Sequence, residues 1–412
     1  MTVEAPVPTL PPLLNELRVL DLSHQYSGAL SAGFLADLGA DVISVEHPVK
    51  SPIRTMLPRK GEHSMWWKVI QRGKRVITLD ISTPRGRELV VELARQADVI
   101  CENFRPGTLE RWGLGPDELE REGISVVMLR ISGFGQTGPL RTRPGFGTVA
   151  EAMSGFANLN GEPDGPPTFP STTLADGVAA TFGAFGIMAA LWSRAHNRTT
   201  DGVEVVDVAL FEGLFRLIPT QVAANSVMGL NPTRPGNNLT SHGVLRDLFR
   251  SRDGRWFVVA GVGPVAIARI LLAAGMNTLH RRVEDGIMTE DPAVVKEFLD
   301  VCVARLHEWA TSHDYGELEV SLNEADVVYQ TIYDVEDIVK DAQFQARGDL
   351  IEVPDNSLGN IRMQGVVPKF PRRTHEVRWA GRDRGADNRE VFSELLHLDE
   401  SDIQEMRRDG LI

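Results

Sequence analysis

"RVLDLSHQYSGALSAGFLADLGADVISVE", Arg18 to Glu46, holds two strand-like runs on either side of a helical one. Arg18–Ser23 and Asp41–Glu46 are short, rich in Val, Ile and Leu, and bounded by loop residues, which is the pattern of β-strands. Between them "ALSAGFLADLGA" reads as a helix that stops at Gly39, a residue that tolerates the left-handed turn at a helix end. The same alternation continues downstream. Arg75–Asp80, Ala97–Asn103 and Ile124–Ser132 read as further strands. "TPRGRELVVELARQA" between two of them opens with Thr83 and then Pro84, a cap followed by a residue preset for the first helical turn. Strand and helix alternating at this spacing predict an α/β fold with a mostly parallel, Rossmann-like sheet.

From about Leu230 the pattern changes. "LFRSRDGRWFVVAGVG", Leu248 to Gly263, reads as a hairpin turning at Asp253-Gly254. The helical run "DPAVVKEFLDVCVARLHEWATSH" follows. The expected plan is therefore a large domain built from both chain ends, residues 1–229 and 328–412, with a smaller α+β domain inserted at 230–327.

Bulk composition narrows the function classes. The chain has 412 residues with 42% hydrophobic and 24% charged, ordinary values for a globular protein with a large core. A net charge of −13 argues against nucleic acid or an anionic membrane as the main partner. It leaves room for an anionic small molecule held by local cations. The two cysteines, Cys101 and Cys302, are far apart and without metal-ligand spacing, so a reduced, cytoplasmic setting is expected. The opening "MTVEAPVPTLPPLLNEL" lacks the basic start and apolar run of a secretion signal.

Familiar catalytic motifs are missing. "SHQYSGALSAG" is a poor dinucleotide fingerprint, and the chain has no phosphate-loop, HExxH or GxSxG sequence. The ten histidines do not cluster as ligands, so no metal is expected. Two features remain. "ENFRPGTLERWG", Glu102 to Gly113, follows a strand directly, where parallel sheets bind ligands. There Asn103 offers polar contacts, Phe104 a stacking face, and Arg105 and Arg111 charge for phosphate. That set suits an adenine nucleotide; the plain alternative is a surface turn.

The second feature is Asp176, a lone acid in "TFPSTTLADGVAATFGAFGIMAALW", Thr168 to Trp192. One reading makes it a helix N-cap. The other makes it a nucleophilic carboxylate at the mouth of a dry, small-residue helix, with the glycine-rich "SGFANLNGEPDGPP" upstream supplying amides for an oxyanion.

Taken in order, "RVLDLSHQYSGALSAGFLADLGADVISVEHP", "GKRVITLDISTPRGRELVVELARQADVICENFRPGTLERWG", "ISGFGQTGP", "GFGTVAEAMSGFANLNGEPDGPP", "LADGVAATFGAFGIMAALW" and "MRRDGLI" resemble the family III CoA-transferases, the CaiB/BaiF group, almost end to end. The resemblance implies that the Asp176 carboxylate attacks an acyl-CoA thioester to give a mixed anhydride. The CoA thiolate then returns to give an aspartyl-CoA thioester, and a free carboxylic acid leaves as the new acyl-CoA. Coenzyme A would be a substrate, with no prosthetic group. By the same resemblance Tyr26 and Ser27 lie along CoA, Leu79 encloses the adenine, Asn103, Phe104 and Arg105 follow the nucleotide, Arg111 meets phosphate, and Gly145 and Phe146 line the pantetheine arm. His47 and Ser82 stand where some relatives carry a basic group, and His24 stands near the active-site loop. The family fold is an interlocked homodimer.

Three alternatives stay open at this level. An α-methylacyl-CoA racemase of the same fold needs a second acid/base, and "RPGFGTVAEAMSG" has no histidine to supply it. An intramolecular CoA-transferase would use the same chemistry. A non-catalytic acyl-CoA-binding protein would keep the fold without turnover. His242 and Arg246 are candidates for contact with the acid substrate.

Overall fold

The computed structural model describes residues 10–196, 198 and 201–412. Residues 1–9, part of the stretch read above as unlike a secretion signal, lie outside them. The chain divides into two compact units. One runs to Phe156 and takes in Pro170–Pro219 and Phe344–Ile412; the other comprises Ala157–Phe169 and Thr220–Gln343. Against the expected boundaries, the changeovers fall at 220 and 344 and the segment 157–169 joins the second unit. Arg234 is one physical reason, since its guanidinium donates to the carbonyls of Glu162 at 3.3 Å and Gly165 at 2.8 Å.

The first unit is built on six parallel strands: β1 (Arg18–Asp21), β2 (Asp41–Glu46), β3 (Arg75–Thr78), β4 (Val99–Glu102), β5 (Val127–Ser132) and β6 (Glu204–Ala209). Their spatial order is β3-β2-β1-β4-β5-β6. Successive residues alternate faces as the pleat requires. Val19, Val42, Val99 and Val127 enter one core layer; Leu20, Ile43, Ile100 and Met128 enter the other. A sheet buried on both faces therefore reads as near-continuous apolar runs, which is why five of the strands were visible in sequence. β6 was not, because its half Glu204–Asp207 is largely exposed and carries acids.

Helices cover both faces. α1 (Tyr26–Asp37) follows β1, and α2 (Pro84–Ala94) starts where expected, with the Thr83 hydroxyl accepting from the Gly86 amide at 3.0 Å. α3 (Gly147–Met153) and α4 (Leu174–Ala195) follow β5. The C-terminal segment caps the outer edge strand: Asp387 accepts from the Val76 amide at 2.7 Å and Asn388 from the Thr78 amide at 2.8 Å. These side chains satisfy an edge that would otherwise be free to pair elsewhere.

α4 corrects one expectation. Only the face bearing Ala175, Ala179, Ala180, Gly183 and Ile187 is buried. Gly183 sits so near Leu129 that a Cβ there would stand 2.9 Å from its side chain, and the Ser31 hydroxyl donates to the Ala180 carbonyl at 3.0 Å. The small residues thus serve close packing on β5 and α1. The opposite face leaves Phe185 at 70% and Trp192 at 63% exposure.

In the second unit β7 (Val244–Arg250) and β8 (Trp256–Val262) form the expected hairpin, turning through Gly254 at φ +91°, with β9 (Tyr329–Thr331) on its far edge. α5 (Pro264–Ala273) and α6 (Pro292–Ser312) pack on it around Phe249, Phe257, Leu271 and Phe298.

Candidate active site

The strand order reverses between β1 and β4, so the loops leaving their carboxyl ends part and open a crevice. The His24 amide bridges the crevice to the Asn103 side-chain oxygen at 3.1 Å. The His24 ring stacks on Phe104, centroids 4.6 Å apart, and Phe104 stands edge-on to Trp112 at 5.2 Å. Packing around the His24 ring pushes its pKa below the ordinary value, which favours neutral imidazole.

His24 and Phe104 are shared by two cavities. The larger, about 420 Å³, lies over the ends of β1, β2 and β3, with Leu79, Trp67, Phe104 and Trp112 as apolar walls and Lys50 and Ser82 at the polar side. Ser23 Oγ and Gln71 Oε1 are buried on its wall with no partner among the described residues. Buried polar atoms of this kind are normally satisfied, so they mark where a ligand's polar groups fit. His47 is committed to its own turn: Nδ1 accepts from the amides of Val49 and Lys50 at 3.0 and 3.2 Å, which leaves the proton on Nε2, 3.7 Å from Asp80. Ser82 donates to Asp80 at 2.6 Å.

The smaller cavity, about 190 Å³, holds Asp176 together with Ser27, Asn103, Gly145 and Phe146. Arg105, Arg141 and Arg143 also line it, and among the described residues none of the three makes an ion pair. Gly145 passes Gly133 so closely that a Cβ on it would lie 3.0 Å from the Gly133 Cα, so a side chain there would push the two loops apart.

Asp176 is not the cap of α4. Thr173 holds that position, and Asp176 is the third helical residue, in the first turn. A Cβ on Gly147, the first residue of α3, would lie 2.1 Å from Asp176 Oδ2. Only glycine lets the carboxylate occupy that space. Burial first, and next the charge of Glu151, push the Asp176 carboxyl up from 3.8 to about 6. Tyr26, the first residue of α1, packs edge-on against Trp66 at 5.2 Å, and burial, with the Asp176 charge adding to it, raises its phenol. Of the glycine-rich stretch expected to supply oxyanion amides, Ser154–Phe156 belong to this unit and Ala157–Pro167 to the other.

Most of the anticipated residues converge. Ser27, Asn103, Phe104, Arg105, Gly145 and Phe146 line the Asp176 cavity, and Leu79 lines the larger one. Arg111 does not: its guanidinium folds back onto the Gly107 carbonyl at 2.9 Å and the Thr108 hydroxyl at 3.0 Å. His242 and Arg246 belong to the second unit, where Arg246 donates to the Asn237 carbonyl at 3.2 Å.

Sequence reasoning missed the support beneath the loop. Glu102 ends β4 fully buried, accepts from the Phe104 amide at 2.7 Å, and pairs with Arg130 of β5 at 2.7 Å. Arg130 reaches on to Glu110 at 2.9 Å. Burial pushes the Glu102 carboxyl up to about 7, against the pull of Arg130. The signal was present as an arginine inside the apolar run "VVMLRIS".

The chain is similar to known proteins over nearly its whole length. Residues 14–388 match the model of CoA-transferase family III. A succinyl-CoA–D-citramalate CoA-transferase of Chloroflexus aurantiacus is 36% identical over 97% of this chain and 98% of its own length. A succinyl-CoA:glutarate CoA-transferase of Mus musculus is 29% identical over 97% of this chain and 88% of its own. The crystal structure of a CaiB/BaiF family protein from Brucella suis superposes with a TM-score of 0.81 at 28% identity, covering 94% of this chain and all of that one. The chain belongs to CoA-transferase family III, the CaiB/BaiF group. It is an enzyme, a CoA-transferase, and CoA thioesters are its substrates.

Proposed function

We propose that this enzyme moves CoA from an acyl-CoA to a short dicarboxylic acid through covalent intermediates on Asp176. One observation carries the reading: a half-buried carboxylate with a raised pKa shares a cavity with three arginines that no acid among the described residues neutralises. In a chain of net charge −13, unpaired arginines facing one cavity fit an anionic ligand. Relatives named for succinyl-CoA with citramalate, malate or glutarate support dicarboxylates on both sides of the exchange.

The nucleotide of CoA occupies the larger cavity, between Leu79 and the Phe104–Trp112 pair, where Ser23 and Gln71 gain the partners they lack. Lys50 and Arg105 meet phosphate, and the pantetheine arm passes His24 and Phe104 toward Ser27, Gly145 and Phe146. An Asp176 oxygen attacks the thioester carbon, the C–S bond breaks, and sulfur leaves as thiolate. The thiolate attacks the anhydride at the aspartyl carbon and releases the donor acid. The acceptor carboxylate attacks the aspartyl-CoA thioester, giving a second anhydride that the thiolate resolves into the new acyl-CoA. Keeping the thiolate beside the anhydride makes each return attack effectively intramolecular.

We further propose that a second copy of the chain covers the exposed Phe185–Trp192 face of α4, giving the homodimer. The test of the chemistry is oxygen transfer. With an acceptor acid labelled with oxygen-18 in its carboxylate, label is expected in Asp176 and then in the released donor acid. Turnover that leaves the protein unlabelled contradicts the covalent route.

A further inference from the structure

The acid that lifts the Asp176 pKa is itself unusual. Glu151 is 2% exposed, on α3, and among the described residues no cation pairs with it. Its hydrogen bond is from the Ala175 amide to Oε1 at 3.4 Å. Ala175 immediately precedes Asp176 in the first turn of α4. Glu151 also lies four residues after Gly147, so both occupy the same face of α3. That face meets the first turn of α4: Gly147 abuts the Asp176 carboxylate and Glu151 holds the amide next to it. A buried carboxylate left without a cation is costly, and a helix cap does not require a charge.

We infer that Glu151 is a positioning residue for the nucleophile: it fixes the first turn of α4 through the Ala175 amide and repels the Asp176 charge, a repulsion that acylation removes. The inference rests on the transferase reading above. When the Asp176 oxygen bonds to the acyl carbon and the C–S bond breaks, the electron pair leaves on sulfur. The carboxylate becomes a neutral anhydride, so negative charge moves off the group beside Glu151. Repulsion in the resting enzyme is thus lost on the way to the intermediate, and the carboxylate is kept basic as a nucleophile. The other groups facing Asp176 are His24 and Tyr26 from the β1–α1 junction and Arg105, Arg141 and Arg143 from the loops. After burial, the Glu151 charge is what raises the Asp176 proton affinity.

Glu151→Gln keeps an acceptor for the Ala175 amide and removes the charge. Asp176 is titrated by NMR in protein labelled with 13C-aspartate, its signal assigned by loss in Asp176→Asn. This readout needs no turnover. The substitution is expected to lower Asp176 proton affinity by roughly tenfold, one pH unit. Acylation by succinyl-CoA at pH 8, where Asp176 is ionised in both proteins, is expected to slow about three- to tenfold with KM within about twofold. A midpoint unchanged from the wild type overturns the inference, because a purely structural cap leaves the titration alone. A lowered midpoint in a protein that acylates with no donor upholds the electrostatic link and sinks the transferase mechanism instead. If Glu151→Gln does not fold, Glu151→Met is titrated with the same expectation, since an apolar residue of similar volume removes the buried charge without leaving a polar orphan.

Discussion

Asp176 must be ionised to attack, so its raised pKa fixes the acid side of the enzyme's pH dependence. Acylation is expected to rise with pH through about 6 and level off above it, measured as single-turnover release of CoA from an acyl-CoA. A flat profile between pH 5 and 8 would contradict the assignment. The same shift has a cost in stability. A carboxyl whose folded pKa lies above its unfolded value binds its proton more tightly in the native state. Its contribution is fully present below the unfolded 3.8 and is lost as pH rises through about 6. At 1.36 kcal/mol per unit, a shift of about two units is worth at most about 3 kcal/mol. Because the group is only half-buried, solvent screening reduces this to about 1 kcal/mol. Asp176→Asn is therefore expected to abolish transfer while raising stability at pH 7.5 by about that amount, read from urea denaturation. A destabilised variant would show that Asp176 is structural. The sequence revealed Asp176 as a lone acid before an apolar run. It did not reveal Glu151, Arg141 or Arg143, because their meaning depends on which loops meet.

Elements place these residues through a few buried pairs. Asp21, the last residue of β1, is wholly buried; it accepts from the Ser23 amide at 3.0 Å and pairs with buried Lys74 at 2.8 Å. Lys74 also donates to the Ala29 carbonyl of α1 at 2.7 Å. The turn carrying His24 and Tyr26 thus hangs from one internal ion pair. Lys74→Met is expected to cost about 3–5 kcal/mol, because it strands the Asp21 charge in the core. The pair Asp21→Asn with Lys74→Met should recover much of that loss in urea denaturation; simple additivity of the two costs would contradict the coupling. Strands and caps were legible where short-range chemistry decides them, as at Thr83–Pro84 and the Asp253-Gly254 turn. In α4 the small residues serve close packing on one face of this chain, and composition alone does not say what covers the other. Arg111 rests on the Gly107 carbonyl and the Thr108 hydroxyl, a local arrangement that sequence does not show.

For the whole molecule, the topology leads from β1 and β4 to the site, while the units' boundaries depend on side chains such as Arg234 that no periodicity exposes. The apolar face of α4 gives the second-copy proposal a direct check. The wild-type chain of 45.4 kDa should run as a dimer by light scattering. Trp192→Glu with Phe185→Glu should shift it toward monomer, since unpaired charges in an apolar interface are strongly unfavourable. A monomeric wild type would contradict the proposal. The central claim is that a carboxylate becomes covalently acylated. It is tested most directly by incubating the enzyme with succinyl-CoA, quenching with hydroxylamine, and mapping the modified peptide by mass spectrometry. The account expects a hydroxamate on Asp176 that requires the thioester and disappears in Asp176→Asn; turnover with Asp176 unmodified, or with the adduct on another residue, would contradict it.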